Sequence, residues 1–216
     1  TFQTKAKEQI QMQVGLSYTN IENARNNRDS EATGKSFDDV KNAAHQTWNK
    51  MLSRIQVEGG TEDDKTVFYS SFYRTFERPI CMSEDGRYFS AFDGKVHEDN
   101  GTPFYTDDWI WDTYRAAHPL RTLIDQQKEE DIIASYLRMA EQMGNMWMPT
   151  FPEVTGDTRR MNSNHAVATV ADALAKGLKV DTAKAYEACR KGIEEKTLAP
   201  WSGAPAGWLD NFYREN

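Results

Sequence analysis

Residues 107–115, Asp-Asp-Trp-Ile-Trp-Asp-Thr-Tyr-Arg, combine aromatic and acidic side chains at a spacing that suits sugar binding. In a helix, Trp109 and Asp112 are three positions apart and share a face. A second shared face would carry Asp108, Trp111 and Arg115. An indole stacks on the C–H face of a pyranose while a carboxylate accepts hydrogen bonds from its hydroxyls. The same pattern also suits a buried Trp beside an acidic residue that caps a helix.

The loop from Trp147 to Arg160 carries two further carboxylates on a stretch with no helical period. Apolar walls around a carboxyl group favour its protonated form, so Glu153 or Asp157 could serve as a proton donor. Alternatively, Asp157 only turns the chain at Gly156 and pairs with one of the two arginines that follow. Both interpretations stay open from the sequence.

His165 precedes a helical pattern that includes Asp172, seven residues later. Two helical turns put both side chains on one face but too far apart to share a metal ion. A single His near a helix start is more often a hydrogen-bonded core residue than a ligand. The sequence has no phosphate-binding loop, dinucleotide-binding glycines, nucleophile elbow, His-Glu-x-x-His or EF-hand motif.

The composition of the 216-residue chain is that of a soluble globular protein, with 38% hydrophobic and 27% charged residues. Its apolar runs are far shorter than the ~18 residues of a membrane-spanning helix. A net charge of -7 argues against a nucleic-acid partner. Six Trp among 12% aromatic residues indicate a large core, an interface or a sugar-stacking surface. Cys81 and Cys189 suit one disulfide or two buried thiols.

The elements that must position these residues follow from the apolar periodicity. Alternation over residues 10–18 predicts a strand in the segment 1–20, whose sheet partners would lie upstream. The polar segment 21–35 suits a linker. From residue 36 the spacing becomes helical, and the domain 36–216 is mainly α.

The predicted helices are joined by mostly short loops and two long ones. They begin after Ser36, Thr61 and Thr106, near Lys128 and Ser163, and after Asp181. The third is expected to break near His118-Pro119. Two turn signals, Glu84-Asp85-Gly86 and Asp93-Gly94, flank residues 87–92 and predict a short hairpin over residues 83–97. This order suits a layered helical array, for which an (α/α) toroid and an α-solenoid give the same pattern.

Four segments resemble glycoside hydrolase family 92, and they occur in that family's order. Trp111–Leu120 is similar to its Trp-Asp-Thr-Tyr-Arg signature. Met161–His165, followed by Val170–Ala173 and Lys176-Gly177, resembles its Met-Ile-Gly-Asn-His and Ala-Asp-Ala-Tyr-x-Lys-Gly segment. Asp85–Tyr88 and Val14–Tyr18 with Glu22–Ala24 also match.

The resemblance implies a calcium-dependent, inverting exo-α-mannosidase that removes terminal mannose from glycans, of the α-1,2 type. Such enzymes join a β-sandwich to an (α/α)6 barrel. Residues 1–20 would then be the last strand of an upstream sandwich, 21–35 the linker and 36–216 the first part of the barrel. The resemblance also implies an exported protein, periplasmic, cell-surface or secreted. Calcium ligands and the catalytic base would lie outside this chain, so the chain alone should not turn over substrate.

The resemblance also assigns roles to individual residues. The family's acid is a Glu four residues before the Met-Ile-Gly segment, and that position here is Asp157. Because Asp is one methylene shorter, Glu153 is the alternative donor. Trp109 and Asp112 would contact the terminal mannose. Other predicted substrate-binding residues are Trp111, Arg115 and His165.

Two alternatives remain at this stage. The first is a non-catalytic relative that binds mannosides without cleaving them, which the Asp at position 157 motivates. The second is a glycosidase of another (α/α)6 family, which would release glucose and would not respond to chelators.

Overall fold

A computed structural model describes residues 1–161 and 164–195 of the chain. Two compact units are present, one from Thr1 to Tyr69 and one that begins at Ser70. The sequence analysis placed its domain boundary earlier, in 21–35. The assignment of residues 1–20 and 36–216 to different domains stays a prediction.

Residues 10–18 do not form the predicted strand. The alternating apolar side chains of this segment are exposed to solvent: Ile10, Met12, Val14, Leu16 and Tyr18. A strand needs a neighbour that completes its backbone hydrogen bonds. No strand among the described residues forms a sheet with this segment. An alternating pattern alone therefore does not produce a strand here.

The segment predicted as a linker contains a helix, α1, over Ile21–Glu31. Asn20 caps it, because its side-chain oxygen accepts a hydrogen bond from the Asn23 N–H at 2.8 Å. The buried Asn23 amide in turn donates to the Thr19 hydroxyl at 2.6 Å. Capping and local polar contacts hold a helix that has no continuous apolar face, which is why the apolar periodicity missed it.

The next two helices confirm the sequence analysis. α2 spans Phe37–Leu52 and α3 spans Glu62–Arg74. The predicted capping box of α2 is present: Ser36 Oγ accepts from the Asp39 N–H at 3.2 Å, and the Asp39 carboxylate accepts from the Ser36 N–H at 2.9 Å. Thr61 and Asp64 make the same reciprocal contacts before α3.

The second unit combines helices with three short antiparallel strand pairs. Its strands are β1 (Ile80–Cys81), β2 (Arg87–Ser90), β3 (Lys95–Glu98), β4 (Tyr105–Thr106), β5 (Pro152–Glu153) and β6 (Gly156–Asp157). Its helices are α4 (Ile110–Thr113), α5 (Ala117–Ile124), α6 (Gln126–Gln142), α7 (His165–Ala175) and α8 (Thr182–Glu194). The strand pairs are β1 with β4, β2 with β3, and β5 with β6. The predicted hairpin is thus confirmed as β2–β3.

The predicted third helix is wrong in its extent. Thr106 belongs to strand β4, and α4 forms a single turn from Ile110. His118-Pro119 does not break a helix but lies in the first turn of α5. Backbone N–H groups of a first turn have no partner within the helix, so a proline there removes no hydrogen bond. The chain therefore folds as two short helices where one was expected.

Helix α6 is the centre of the core of this unit and confirms the predicted fourth helix. Its buried side chains include Ile132, Ile133, Tyr136, Leu137 and Ala140. Small residues of α7 and α8 complete the same core: Ala166, Val170, Ala173, Ala185 and Ala188. α7 and α8 also match the predicted fifth and sixth helices, although the predicted start at Ser163 lies outside the described residues. The chain is mainly helical, as predicted.

Two further sequence expectations concern the cysteines and the membrane. Cys81 and Cys189 are both free thiols. Within the described ranges, no helix combines the length and apolar character that crossing a membrane requires.

Because Ile132 is completely buried in α6, we expect Ile132→Ala to lower the free energy of unfolding by about 2–5 kcal/mol. Leu123→Ala in α5 is the matched control, since Leu123 is exposed and its loss should change stability by about 0.5 kcal/mol or less. Urea unfolding followed by circular dichroism measures both. Equal midpoints for the two variants would contradict this description of the core.

Candidate active site

The Trp-Asp segment and the carboxylate-bearing loop lie against each other. The Trp109 indole stacks on Phe151 with ring centroids 5.9 Å apart and 22° between the planes. The Asp108 N–H donates to the Pro152 carbonyl at 3.0 Å. The Thr106 hydroxyl donates to the Glu153 carbonyl at 3.2 Å. Aromatic stacking and two backbone-directed hydrogen bonds therefore join the two segments.

Trp109 keeps 37% of its surface exposed, although a further side chain holds it. The Arg78 guanidinium lies 3.8 Å from the centre of the indole ring. Arg78 also forms an ion pair with the Asp107 carboxylate. A cation over the ring is attracted to its π face and therefore helps to fix the indole.

The two predicted shared faces have different outcomes. Trp109 is the cap residue of α4, and the Asp112 N–H donates to the Trp109 carbonyl at 2.8 Å. The exposed Asp112 residue therefore lies within one helical turn of Trp109. The grouping of Asp108 with Trp111 and Arg115 is wrong. Asp108 precedes the helix and is fully buried, whereas Trp111 is 45% exposed.

His165, at the start of α7, lies in an aromatic cluster next to the Trp-Asp segment. Its ring centre is 4.0 Å from that of Tyr114 and 5.1 Å from that of Trp111. The Arg115 guanidinium donates to the Tyr114 hydroxyl at 2.8 Å. Partial burial and the nearby Arg115 charge lower the pKa of His165, which favours its neutral imidazole. The cluster thus brings Trp111, Arg115 and His165 together.

Asp157 is engaged by hydrogen-bond donors on every side that the structure describes. Its carboxylate accepts from the backbone N–H groups of Thr150 at 3.0 Å, Phe151 at 2.8 Å and Arg159 at 3.3 Å. Only 3% of its side chain is exposed. Asp157 therefore holds the loop 150–159 in shape, which is the plainer of the two interpretations.

Glu153 has a different environment. Its carboxylate lies 3.4 Å from the Arg160 guanidinium, whose side chain is 63% exposed, while 13% of the Glu153 side chain is exposed. It sits in β5, one residue after Pro152, which accepts the hydrogen bond from the Asp108 backbone. Of the two candidate donors, Glu153 is the one whose carboxylate the loop backbone does not occupy.

A buried polar cluster beneath the Trp-Asp segment was not predicted from the sequence. It contains Asp108, His118, Arg121, Glu129 and Tyr136. Burial opposes charge on Asp108, but the His118 and Arg121 charges and the Tyr136 hydroxyl outweigh it and lower its pKa to about 2. The residues come from α5, α6 and the segment before α4, so no single local spacing marks the whole cluster.

Metal binding has no support within the described part of the chain. No group of three His, Cys, Asp or Glu side chains there could hold a metal ion. His165 and Asp172, which share a helix face, provide only two such groups. No step of catalysis is therefore assigned to a metal through these residues.

A mainly helical unit that places exposed indoles beside carboxylates and a carboxylate-bearing loop has the features of a carbohydrate-active domain. The sequence profile of the glycosyl hydrolase family 92 catalytic domain matches residues 23–215. The chain belongs to this family. The hypothesis of a glycosidase from another (α/α)6 family is thereby removed.

Solved structures give the same result. The family GH92 inverting mannosidase BT2199 of Bacteroides thetaiotaomicron matches with a TM-score of 0.79 and 31% identity, over 92% of this chain and 27% of that one. The family GH92 α-mannosidase BT3965 of the same organism matches with a TM-score of 0.78 and 28% identity, over 84% and 24%. The chain thus spans about a quarter of the length of these relatives. A comparison with curated protein sequences found no match.

We expect Asp157→Asn to lower the free energy of unfolding by about 1–3 kcal/mol, because the amide nitrogen would face a backbone donor and leave it unpaired. Glu153→Gln should change stability by about 1 kcal/mol or less, since its Arg160 partner is mostly exposed. Thermal unfolding and limited proteolysis of the loop compare the two. Equal stability losses would show that Asp157 does not hold the loop.

Proposed function

We propose that the protein containing this chain is an inverting exo-α-mannosidase, α-1,2-mannosidase-like, that removes terminal mannose from glycans. Family membership supports a glycosidase, and the solved structures similar to this chain are those of α-mannosidases. One of them, BT3965, was solved in complex with mannoimidazole; it matches with a TM-score of 0.78 and 26% identity, over 91% of this chain and 25% of that one. The relative BT2199 is described as inverting.

The stacking of Trp109 on Phe151 is the single observation that carries this proposal, because it joins the Trp-Asp segment to the loop of Glu153. A glycosidase needs a surface that binds the sugar and, within reach, a carboxyl group that protonates the leaving oxygen. The contact between Trp109 and Phe151 supports the presence of the sugar-binding surface and the carboxyl group at one place in the molecule. If these two features lay far apart, they could not act on one sugar.

In this proposal the terminal mannose binds at Trp109 and Asp112. The exposed part of the indole stacks on the sugar C–H face, and the exposed Asp112 carboxylate accepts hydrogen bonds from hydroxyls. Trp111, Arg115 and His165 form the adjoining wall of the subsite. A neutral His165 can both donate to and accept from a hydroxyl group.

We assign the proton donor to Glu153 and a loop-holding role to Asp157. The position of the family's acid favours Asp157, but three backbone N–H groups already occupy its carboxylate oxygens. A general acid must present its carboxyl group to the leaving oxygen. Glu153 has no backbone donor on its carboxylate among the described residues, and it stays within the same short hairpin.

The remaining parts of the proposal rest on the family. An inverting enzyme separates its acid and base by about 6.5–9.5 Å, to leave room for water. We expect the base and the calcium ligands outside the described residues, the (α/α)6 barrel to be completed by other parts of the enzyme, and residues 1–20 to join an upstream β-sandwich. The chain alone should be inactive, and we expect the whole protein to be exported.

A non-catalytic mannoside-binding protein is the second candidate. The observation that favours it is the Asp at the acid position of the family, fully engaged by the loop backbone. Calorimetry with an α-mannoside, followed by prolonged incubation and detection of free mannose, separates the candidates. Binding without release would favour this alternative.

Glu153→Gln in the full-length protein should slow mannose release from a mannosyl disaccharide by about 100-fold or more, because the sugar leaving group needs a proton. The loss should be much smaller for dinitrophenyl α-mannoside, whose leaving group departs unprotonated. Asp157→Asn, which alters the loop, should affect both substrates to a similar extent. Rates of release with the two substrates measure the difference.

If Glu153→Gln retains full activity on the disaccharide, Glu153 is not the donor. If Asp157→Asn instead shows the selective loss, the assignment moves to Asp157.

A further inference from the structure

We propose that His118 is a positioning residue, whose ring joins Asp108 to Glu129 and so fixes Trp109 against the loop that carries Glu153. This inference rests on the proposed function, because it concerns the same subsite. It adds a buried residue that touches no substrate to the groups on which activity depends.

The His118 ring connects two elements through opposite nitrogen atoms. Nε2 lies 3.0 Å from Asp108 Oδ2, and Nδ1 lies 2.7 Å from Glu129 Oε1. His118 itself belongs to α5, Glu129 to α6, and Asp108 to the segment before α4. All three side chains are 1% exposed or less. One ring therefore ties three parts of the chain together inside the core.

Charge balance requires the protonated form of this ring. Asp108 and Glu129 bring two negative charges into a site without access to solvent, and Arg121, 2.9 Å from Glu129, supplies one positive charge. An unpaired buried charge is strongly destabilising. A second positive charge on His118 makes the cluster neutral and lets both nitrogen atoms donate to carboxylates.

Burial lowers the pKa of His118, but Asp108 and Glu129 outweigh it and raise the value above its ordinary one. The other groups that face the ring are Tyr136, whose hydroxyl is 3.2 Å from Nε2, and Arg121, 3.1 Å from Nδ1. The carboxylate contacts at both nitrogen atoms and the charge count favour an imidazolium, and the Arg121 contact opposes it.

Two paths lead from the cluster to the Trp-Asp segment. In the first, the Thr113 hydroxyl donates to Asp108 at 2.7 Å, and the Asp108 backbone donates to Pro152 beside Glu153. This path fixes both ends of α4 and the loop. Loss of the imidazolium would remove the charged partner of the Asp108 carboxylate and leave it with the Thr113 and Tyr136 hydroxyls.

The second path reaches the Trp109 indole through Arg78. Arg121 Nη1 donates to the Arg78 carbonyl at 3.4 Å, and the Arg78 guanidinium lies over the Trp109 ring at 3.8 Å. Glu129 orients Arg121 through its second carboxylate oxygen. The cluster therefore includes Asp108, the residue before Trp109, and contacts Arg78, which lies over the Trp109 ring. A positioning role requires such contacts.

The direct test is His118→Gln in the full-length protein, with His97→Gln as the matched control. His97 also pairs with a carboxylate, Asp93 at 2.9 Å, but it lies on the hairpin strand β3. With a mannosyl disaccharide we expect kcat to fall about 10-fold or more in His118→Gln, from misplacement of reacting groups, and about 2-fold or less in the control. A folded His118→Gln variant with unchanged kcat would overturn the proposal.

Hydrogen exchange gives a readout that does not depend on activity. In His118→Gln, the amides of residues 106–114 should exchange at least about 10-fold faster while those of α8 keep their protection. Uniformly faster exchange would indicate a general loss of stability and overturn the positioning role. If the wild-type protein releases no mannose, the proposed function fails, and this exchange pattern still decides whether His118 positions Trp109.

The pH dependence supplies a second signature. A histidine whose pKa is raised by folding stabilises the native state fully below its unfolded value, near 6.5, and this contribution is lost as pH rises through the folded value. The wild-type melting temperature should therefore fall above about pH 6.5 by more than that of His118→Gln. Identical pH profiles would contradict a charged ring.

Tyr136→Phe keeps the proposal testable if His118→Gln does not fold. It removes only the hydroxyl that donates to Asp108 at 2.5 Å and keeps the shape of the core. We expect a smaller effect in the same direction, a kcat about 3-fold lower, with faster exchange confined to residues 106–114. No change in either quantity would overturn the proposal.

Discussion

The pairing of two buried carboxylates with two buried cations is the constraint on which the rest of the second unit depends. Asp108 and Glu129 lie out of reach of solvent, and only His118 and Arg121 neutralise them among the described residues. Burying such charges is favourable only when their geometry is met. The pairing therefore fixes α5 against α6 and determines where the chain before α4 can lie. Trp109 follows directly from that point.

The elements with strong local information were predictable from the sequence. α2 and α6 have apolar stripes or clear caps, and the β2–β3 hairpin has an Asp-Gly turn, so local propensity and tertiary structure agree. The failures have physical causes. The alternation over 10–18 lacks a pairing strand, α1 is held by polar capping, and Pro119 occupies a helix turn where it does no harm.

The candidate site was predictable in part. The sequence identified Trp109, Glu153 and Asp157, and the structure brings their segments together through the contact with Phe151. The sequence could not distinguish Asp157, which holds the loop, from Glu153. The backbone donors to Asp157 depend on the folded shape of the loop, which the sequence pattern does not predict. His118 was noted only as a helix breaker, since its partners are 10 and 11 residues away in sequence.

The most direct test of the central claim, that one sugar site joins the Trp-Asp segment to the Glu153 loop, is a crystal structure of the full-length protein with bound mannoimidazole. The account predicts that the sugar ring stacks on Trp109, that a hydroxyl binds Asp112, and that the Glu153 carboxyl group lies within hydrogen-bond distance of the imidazole nitrogen. A ligand bound elsewhere, with Trp109 covered by protein, would contradict it.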